Sequence, residues 1–239
     1  MKNTFLAAVS HELRSPLTSI LGLSLTLERT HDLGAEDRDD LTMRLSANAR
    51  KLDRLLKDLL DIDRLNRGIV EPVYRTTDLG VLARRTMESL DSLASRQVEA
   101  ETGSVVLRAD PAKVERIVEN LLMNAARHTT TDRRIWLRVE AVDGGALIAV
   151  EDDGPGVQPE LWAEIFEPFR QGPTASPHSP GTGIGLSLVA RFAELHGGRA
   201  WVQEREGGGA SFRVFLPDAP EVDAKPEPGT RGLRAVEAG

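Results

Sequence analysis

Cysteine is absent from the 239 residues, which excludes disulfide bonds, thiol catalysis and cysteine metal sites and fits a reducing compartment. No apolar run reaches the roughly 18 residues that a membrane-spanning helix needs, so the sequence predicts no membrane span. Aromatic residues make up only 4% of the chain, so we expect an aliphatic core. A net charge of -7 disfavours a nucleic-acid-binding surface, although a local anion site is compatible with it.

The balance of residues that are present is that of an ordinary soluble protein, with 40% hydrophobic and 28% charged residues. The length is sufficient for one large domain or for two small domains with cores of their own. The first residues do not resemble a secretory signal, because acidic residues and a histidine come too early.

Two segments near the start have the hydrophobic spacing of long helices that pack against each other. The first runs from near Lys2 to about Arg29, with Pro16 at a position of the apolar seam, and the second covers about residues 41–62. A polar turn, residues 30–40, joins them, which predicts an antiparallel hairpin. Such a hairpin alone cannot bury the leucines that flank its seam, so two chains are expected to form a four-helix bundle, a homodimer. These leucines are Leu17, Leu21, Leu56 and Leu60.

His11 lies on the first predicted helix, roughly opposite the apolar seam and therefore facing water. Glu12 follows it directly. One interpretation is a surface histidine of an amphipathic helix. The other is a nucleophilic imidazole with an adjacent carboxylate that takes its proton, and this stretch alone leaves both open.

The chain from Asp78 onwards alternates helical and strand patterns, which predicts a mixed α/β domain. Helices are expected from Asp78 to about Ala94, from Asp110-Pro111 to about His128, over 159–166 and from Gly183 to His196. Strands are expected over 98–101, 105–108, 134–141, 146–150, 199–204 and 210–216. The predicted domains are residues 1–67 for the hairpin, 68–77 for a linker, 78–217 for the mixed domain and 218–239 for a disordered tail.

Three stretches of the mixed domain have residues suited to bind a nucleotide. Asn120 and Asn124 lie four residues apart on a helix, so their amides project from one face. Asp152 at a strand end is followed by Gly154 and Gly156, which let the backbone pass close to a flat ring. The stretch 181–186, GTGIGL, opens a helix, where backbone N–H groups bind phosphate. Each signal has an ordinary structural explanation when it is taken alone.

Together these stretches resemble a known family. The segment VSHELRSPL around His11 is similar to the phospho-acceptor box of sensor histidine kinases, the bacterial two-component signalling kinases. The asparagine, Asp152, Phe166–Phe169 and GTGIGL stretches resemble the N, first glycine, phenylalanine and second glycine boxes of the same family, in the same order. The resemblance covers about Phe5 to Pro217. It implies an α+β fold in which a helical hairpin, forming a dimeric four-helix bundle, precedes an α/β sandwich ATP-binding domain of the GHKL (Bergerat) type.

The resemblance implies a histidine kinase, an ATP- and Mg²⁺-dependent phosphotransferase. His11 would attack the γ-phosphate, Glu12 would accept its proton, and the phosphoryl group would pass to an aspartate of a response-regulator receiver domain. Asp152 would hold the adenine amine, and Asn124 with Asn120 would coordinate Mg²⁺ on the phosphates. The other nucleotide-binding residues would be Arg127, His128, Gly154, Gly156, Gly181, Thr182, Gly183, Gly185 and Leu186, with residues 171–180 as the ATP lid.

Some positions differ from the common pattern of the family. Arg127 and His128 stand where lysine and tyrosine are usual, and Arg170 lies one residue away from the usual arginine position. Ser15 replaces a larger polar residue, which puts phosphatase activity in doubt. Related ATPases have a water-activating glutamate where this chain has Asn120, and the amide favours transfer over hydrolysis.

Two alternatives of other classes compete with the kinase. One is a response-regulator docking or phosphatase module with weak kinase activity, and the other is a GHKL ATPase that works as a conformational clamp. Intact Asn124 and Asp152 oppose the first, and Asn120 opposes the second. Because only ten residues precede His11, we expect a fragment of a longer sensor or a partner that supplies the input. The resemblance places the chain in the cytoplasm, on its own or as part of a membrane-anchored sensor.

Overall fold

The computed structural model describes residues 2–30, 33–168 and 183–218, without the side chains of residues 2–8, 11 and 12. The predicted tail beyond Asp218 and the predicted lid therefore lie outside the described residues. In chain order the helices and strands are α1 Lys2–Arg29, α2 Ala35–Asn66, β1 Arg75–Asp78, α3 Leu79–Glu88, β2 Gln97–Thr102, β3 Val106–Ala109, α4 Pro111–His128, β4 Arg134–Val142, β5 Gly145–Asp152, α5 Gly185–Leu195, β6 Arg199–Glu204 and β7 Ala210–Pro217.

Helices α1 and α2 form the predicted hairpin and pack against each other. Pro16 is buried within α1, and Glu36 and Asp37 occupy the first turn of α2, where carboxylates favour the positive end of the helix dipole. The flanking leucines remain exposed in the single chain. Their exposed fractions are 47% for Leu17, 56% for Leu21, 47% for Leu56 and 56% for Leu60. Within the described ranges, none of the helices has the length and apolar character that crossing a bilayer requires.

The second part of the chain is a five-stranded sheet with three helices, α3, α4 and α5, that pack on it. The strand order is β2-β4-β5-β7-β6; β2 runs parallel to β4 and the other neighbours are antiparallel. Ile135, Leu137 and Val139 alternate along β4 and are almost fully buried, as the period of a strand requires. A separate antiparallel pair, β1 and β3, lies next to α3. This architecture confirms the predicted fold class.

Several predicted elements differ from the observed ones at their ends. The helix that Asp78 caps ends at Glu88 and is followed by a short 3-10 turn, and the predicted helix 159–166 is two 3-10 turns. Strand β1 includes residues 75–77 of the predicted linker. Trp136, which lies between Ile135 and Leu137 on the opposite face of β4, is only 8% exposed, because the Arg205 guanidinium lies 3.7 Å from the centroid of its ring.

The hairpin packs against the mixed domain through the second half of α2. Ile62 is buried in the same hydrophobic cluster as the sheet and helices, with Leu59 and Leu65 packed against it. An ion pair between Asp58 of α2 and Arg116 of α4 joins the two parts. The linker is also fixed, because the Val73 amide donates to the Asp110 carboxylate at 2.9 Å.

Candidate functional site

Asp152 is the last residue of β5, and it is 2% exposed. Burial raises the pKa of its carboxyl group, while a hydrogen bond from the Gly154 amide to Oδ1, at 3.0 Å, acts in the opposite direction. The Ala210 backbone amide also lowers this pKa, and because a carboxylate has about four acceptor positions, Asp152 can still accept a hydrogen bond from a ligand. The strand position agrees with the prediction that Asp152 stands at the end of a strand.

The turn after Asp152 requires glycine where another backbone segment comes close. A Cβ on Gly154 would lie 2.7 Å from Asp152 Oδ1, and Gly156 has a φ of 74°, in the left-handed region. Gly209, which the sequence did not single out, approaches from the β6–β7 turn. A Cβ there would lie 1.9 Å from the Asp152 carbonyl oxygen. The glycines therefore let two turns meet behind the Asp152 backbone.

Helix α4 presents the two predicted asparagines. Its start is fixed by Asp110, whose carboxylate accepts from the amides of Ala112 and Lys113. The Asn120 amide nitrogen donates to the Arg116 carbonyl at 2.8 Å, which leaves its oxygen available as a ligand. The half-buried Asn124 side chain has no hydrogen bond to any residue that the structure describes. Both amide oxygens are thus available to a hard cation.

The start of α5 lies against α4. Gly183, with a φ of 64°, precedes the helix, which begins at Gly185 and not at Gly183 as predicted. A Cβ on Gly185 would lie 2.7 Å from Asn120 Oδ1, so the second glycine stretch and the asparagine helix meet at this contact. Leu186 is partly buried and packs against the core, and Gly181 and Thr182 lie outside the described residues.

Arg127 and His128 end α4, and both side chains are exposed. The pKa of His128 is lowered, first by partial desolvation and second by the charge of Arg127, so the neutral imidazole is favoured. His11 and Glu12 lie in the α1 backbone, and their side chains are outside the described residues, as are Arg170 and the lid residues 171–180.

Three polar contacts that hold α4 in place were not predicted from the sequence. Arg96 bonds the end of α4, and Asp58 pairs with Arg116. His196, to which the sequence assigned no role, is buried, and its Nε2 accepts from the Asp110 amide at 3.0 Å. Each contact joins residues far apart in the sequence, so no local pattern predicts it.

The comparisons with known proteins agree with this arrangement. Residues 1–68 match the His kinase A (phospho-acceptor) domain, and residues 109–220 match the histidine kinase-, DNA gyrase B- and HSP90-like ATPase. The chain is 37% identical over 228 residues to the sensor histidine kinase TmoS of Ectopseudomonas mendocina, covering 92% of this chain and 23% of TmoS. It is 31% identical over 244 residues to the circadian input-output histidine kinase CikA of Synechococcus elongatus, covering 98% of this chain and 32% of CikA.

Solved structures show the same architecture. Full-length ShkA in complex with AMPPNP matches with a TM-score of 0.63 and 30% identity, over 91% of this chain and 47% of ShkA. Histidine kinase AdeS of Acinetobacter baumannii matches with a TM-score of 0.69 over 88% of this chain and 98% of AdeS; at 22% identity it supports the fold alone. The chain spans 15% to 32% of the length of the first three curated relatives. The chain belongs to the sensor histidine kinases and contains their phospho-acceptor and ATPase domains.

Proposed function

We propose that this chain is an ATP-dependent protein-histidine kinase that phosphorylates itself on His11 and passes the phosphoryl group to an aspartate of a response-regulator receiver domain. The contact between Asn120 and Gly185 carries the proposal. It brings the asparagine helix and the second glycine stretch to one place, although the two motifs are far apart in the sequence. The fold and both family matches support the same function.

The nucleotide would lie between the Asp152 turn and the start of α5. Asp152 accepts a hydrogen bond from the adenine amine, while Gly154 and Gly156 let the backbone of the turn pass close to the base. Backbone amides at the start of α5, around Gly183 and Gly185, hold phosphate. The remaining residues proposed to bind are Arg127, His128, Gly181, Thr182 and Leu186.

Mg²⁺ fits the donors that α4 offers. Asn124 and Asn120 supply neutral amide oxygens, and in the described ranges no cluster of three acidic or histidine side chains forms a metal site. Two neutral amides would hold the ion only together with the substrate phosphates, which supply ligands to Mg²⁺ at kinase and ATPase sites. When bound, the ion neutralises charge on the phosphates.

Phosphoryl transfer needs positioning more than covalent chemistry from the protein. In the proposed reaction a nitrogen of the His11 imidazole forms a bond to the γ-phosphorus, the bond from that phosphorus to the bridging oxygen of ADP breaks, and Glu12 accepts the imidazole proton. Asn120 is a poor base, so it does not activate water efficiently, and this favours transfer to His11 over hydrolysis.

Two chains are required to bury the leucines that the hairpin leaves exposed, so we propose that the kinase is a homodimer. The receiver domain is the second proposed partner. One solved relative, the histidine kinase ThkA, is in complex with the response regulator TrrA; its structure matches with a TM-score of 0.66 and 24% identity, covering 91% of this chain and 62% of the ThkA chain.

Titration of the purified chain with ADP and Mg²⁺, beside incubation with γ-labelled ATP, tests this function. We expect wild-type protein to bind ADP and take up label, Asn124→Ala to lose both, and His11→Gln to bind ADP without label. ADP binding by a wild-type chain that takes up no label would reject the kinase and leave the ATPase clamp, which phosphate release would identify. Neither binding nor label would leave the docking module.

A further inference from the structure

Arg96 lies between α3 and β2, yet its side chain reaches the end of α4. One guanidinium nitrogen donates to Thr129 Oγ1 at 3.0 Å and to the Thr130 carbonyl at 3.1 Å. The other donates to the carbonyl of Thr129 at 3.1 Å and to that of Ala126. The last carbonyls of a helix have no partner within the helix and lie at its negative end, so a planar cation with several donors fits them.

His128 and Thr129, at the end of α4 that Arg96 bonds, lie against the turn that follows Asp152. A Cβ on Gly154 would lie 3.0 Å from Thr129 Cγ2 and 3.2 Å from the His128 carbonyl oxygen. On its other side, Gly154 donates its amide to Asp152 Oδ1. Gly154 is thus confined between Thr129 and Asp152, and a shift of Thr129 changes where the Asp152 carboxylate is held.

Thr129 is also bonded to α4 through its side chain. Its hydroxyl donates to the Ala125 carbonyl at 2.7 Å while it accepts from Arg96, and the residue is 8% exposed. Loss of the guanidinium would leave carbonyls at the end of α4 without a donor. Water would then have to bond these carbonyls, and Thr129 would be held less firmly against Gly154.

We propose that Arg96 is a positioning residue for the base end of the nucleotide site, where it fixes the Asp152 carboxylate to recognise a purine that carries an exocyclic amine. This inference rests on the proposed function, because it takes Asp152 as the acceptor of the adenine amine. Arg96 itself does not touch the nucleotide.

Titration calorimetry with ADP and with IDP, both with Mg²⁺, tests the proposal. IDP has a carbonyl group where ADP has the amine and a protonated N1 beside it, so the ratio of their affinities reports recognition of the purine edge that Asp152 is proposed to bind. The variants are Arg96→Met and Arg96→Lys, and the fitted stoichiometry gives the folded fraction of each protein. Arg84→Met is the matched control, because among the described residues Arg84 makes its one hydrogen bond to Thr102 Oγ1, at 2.8 Å, and none to α4.

We expect the wild-type chain and Arg84→Met to prefer ADP over IDP by tenfold or more. Arg96→Met should reduce that preference about tenfold, chiefly by weaker ADP binding, and Arg96→Lys should give an intermediate ratio, since a lysine bonds fewer of the carbonyls. If Arg96→Met does not fold, the ratio of Arg96→Lys decides the question.

A full wild-type preference in both Arg96 variants would overturn the role of Arg96 and leave the proposed function intact, whatever the variants do to thermal stability. A wild-type chain that binds ADP and IDP equally would overturn the adenine contact of Asp152 and the role of Arg96 with it.

Discussion

Asp58 on α2 and Arg116 on α4 form an ion pair that joins the hairpin to the ATPase domain. Asp58 is 4% exposed, and Arg116 also pairs with Glu119 at 2.7 Å. Arg54 of α2 lies 3.7 Å from the same Glu119, so the contact is a network of four charges. Its position matters for the site because the Arg116 carbonyl accepts from Asn120 one turn further along α4.

The two partners of this pair should respond differently to neutral substitutions. Arg116→Met leaves the Asp58 carboxylate buried without its closest cation, and we expect a loss of about 3 kcal/mol in the free energy of unfolding at pH 7.5. Asp58→Asn keeps an acceptor of the same shape, and Arg116 retains Glu119, so this variant should be as stable as wild type or more stable. Urea unfolding followed by tryptophan fluorescence reports the ATPase domain, which contains Trp136, Trp162 and Trp201. Equal losses in both variants would contradict this account.

The same network predicts a pH dependence of stability. Burial raises the pKa of Asp58 from 3.8 to about 6, and Glu119 and Asp61 add to the increase, while Arg116 and Arg54 oppose it. The pKa of Asp58 is higher in the folded chain than in the unfolded chain, so protonation of Asp58 favours folding. This contribution is complete below about pH 4 and is lost as the pH rises through 6. Asp58→Asn should therefore be more stable than wild type at pH 7.5 by on the order of 2 kcal/mol, and that gain should shrink by roughly 1 kcal/mol at pH 5. A gain that is independent of pH would refute this pKa.

Gly185→Ala should impair the site without unfolding the chain. The new Cβ would meet Asn120 Oδ1 at 2.7 Å, and since the end of a side chain can move aside, the amide is displaced while the fold is kept. We expect autophosphorylation to fall about tenfold or more, with an unfolding midpoint near that of wild type. Gly22→Ala on α1 is the matched control, because a Cβ there has no atom within 4 Å. Unchanged activity of Gly185→Ala would show that the position of Asn120 is not important.

The exposed leucines of the hairpin should mediate the dimer. Leu21→Lys together with Leu60→Lys places charge on a face that is 56% exposed at both positions in the single chain, and we expect a monomer in multi-angle light scattering. Val81→Lys alters a residue of the ATPase domain that is 46% exposed and should leave the dimer intact. A dimer that survives both leucine substitutions would place the interface elsewhere.

Local signals predicted much of the fold. Helix α4 was predicted to run from Asp110-Pro111 to about His128, and it does, because an N-cap carboxylate and a proline at the first turn fix its start. The start of α5 was predicted two residues too early. Gly183 has a left-handed φ, which a glycine pattern alone does not distinguish from helix.

The sequence suggested Asn120 and Asn124 because their amides project from one face of a helix, and Asp152 because it is a carboxylate at a strand end, followed by two glycines. It could not suggest the residues that hold them in place. Arg96 bonds Ala126, Thr129 and Thr130, and His196 bonds Asp110 across 86 positions, so both contacts depend on the tertiary fold. The roles proposed for the site residues remain predictions.

The chemical nature of the phosphoryl bond tests the central claim most directly. Purified wild-type chain would be incubated with Mg²⁺ and γ-labelled ATP, treated with acid or base, and the labelled peptide mapped, with His11→Gln as the matched variant. We predict label that is lost in acid, survives base, maps to the peptide containing His11 and is absent from His11→Gln. Acid-stable label, or label that His11→Gln retains, would contradict the account.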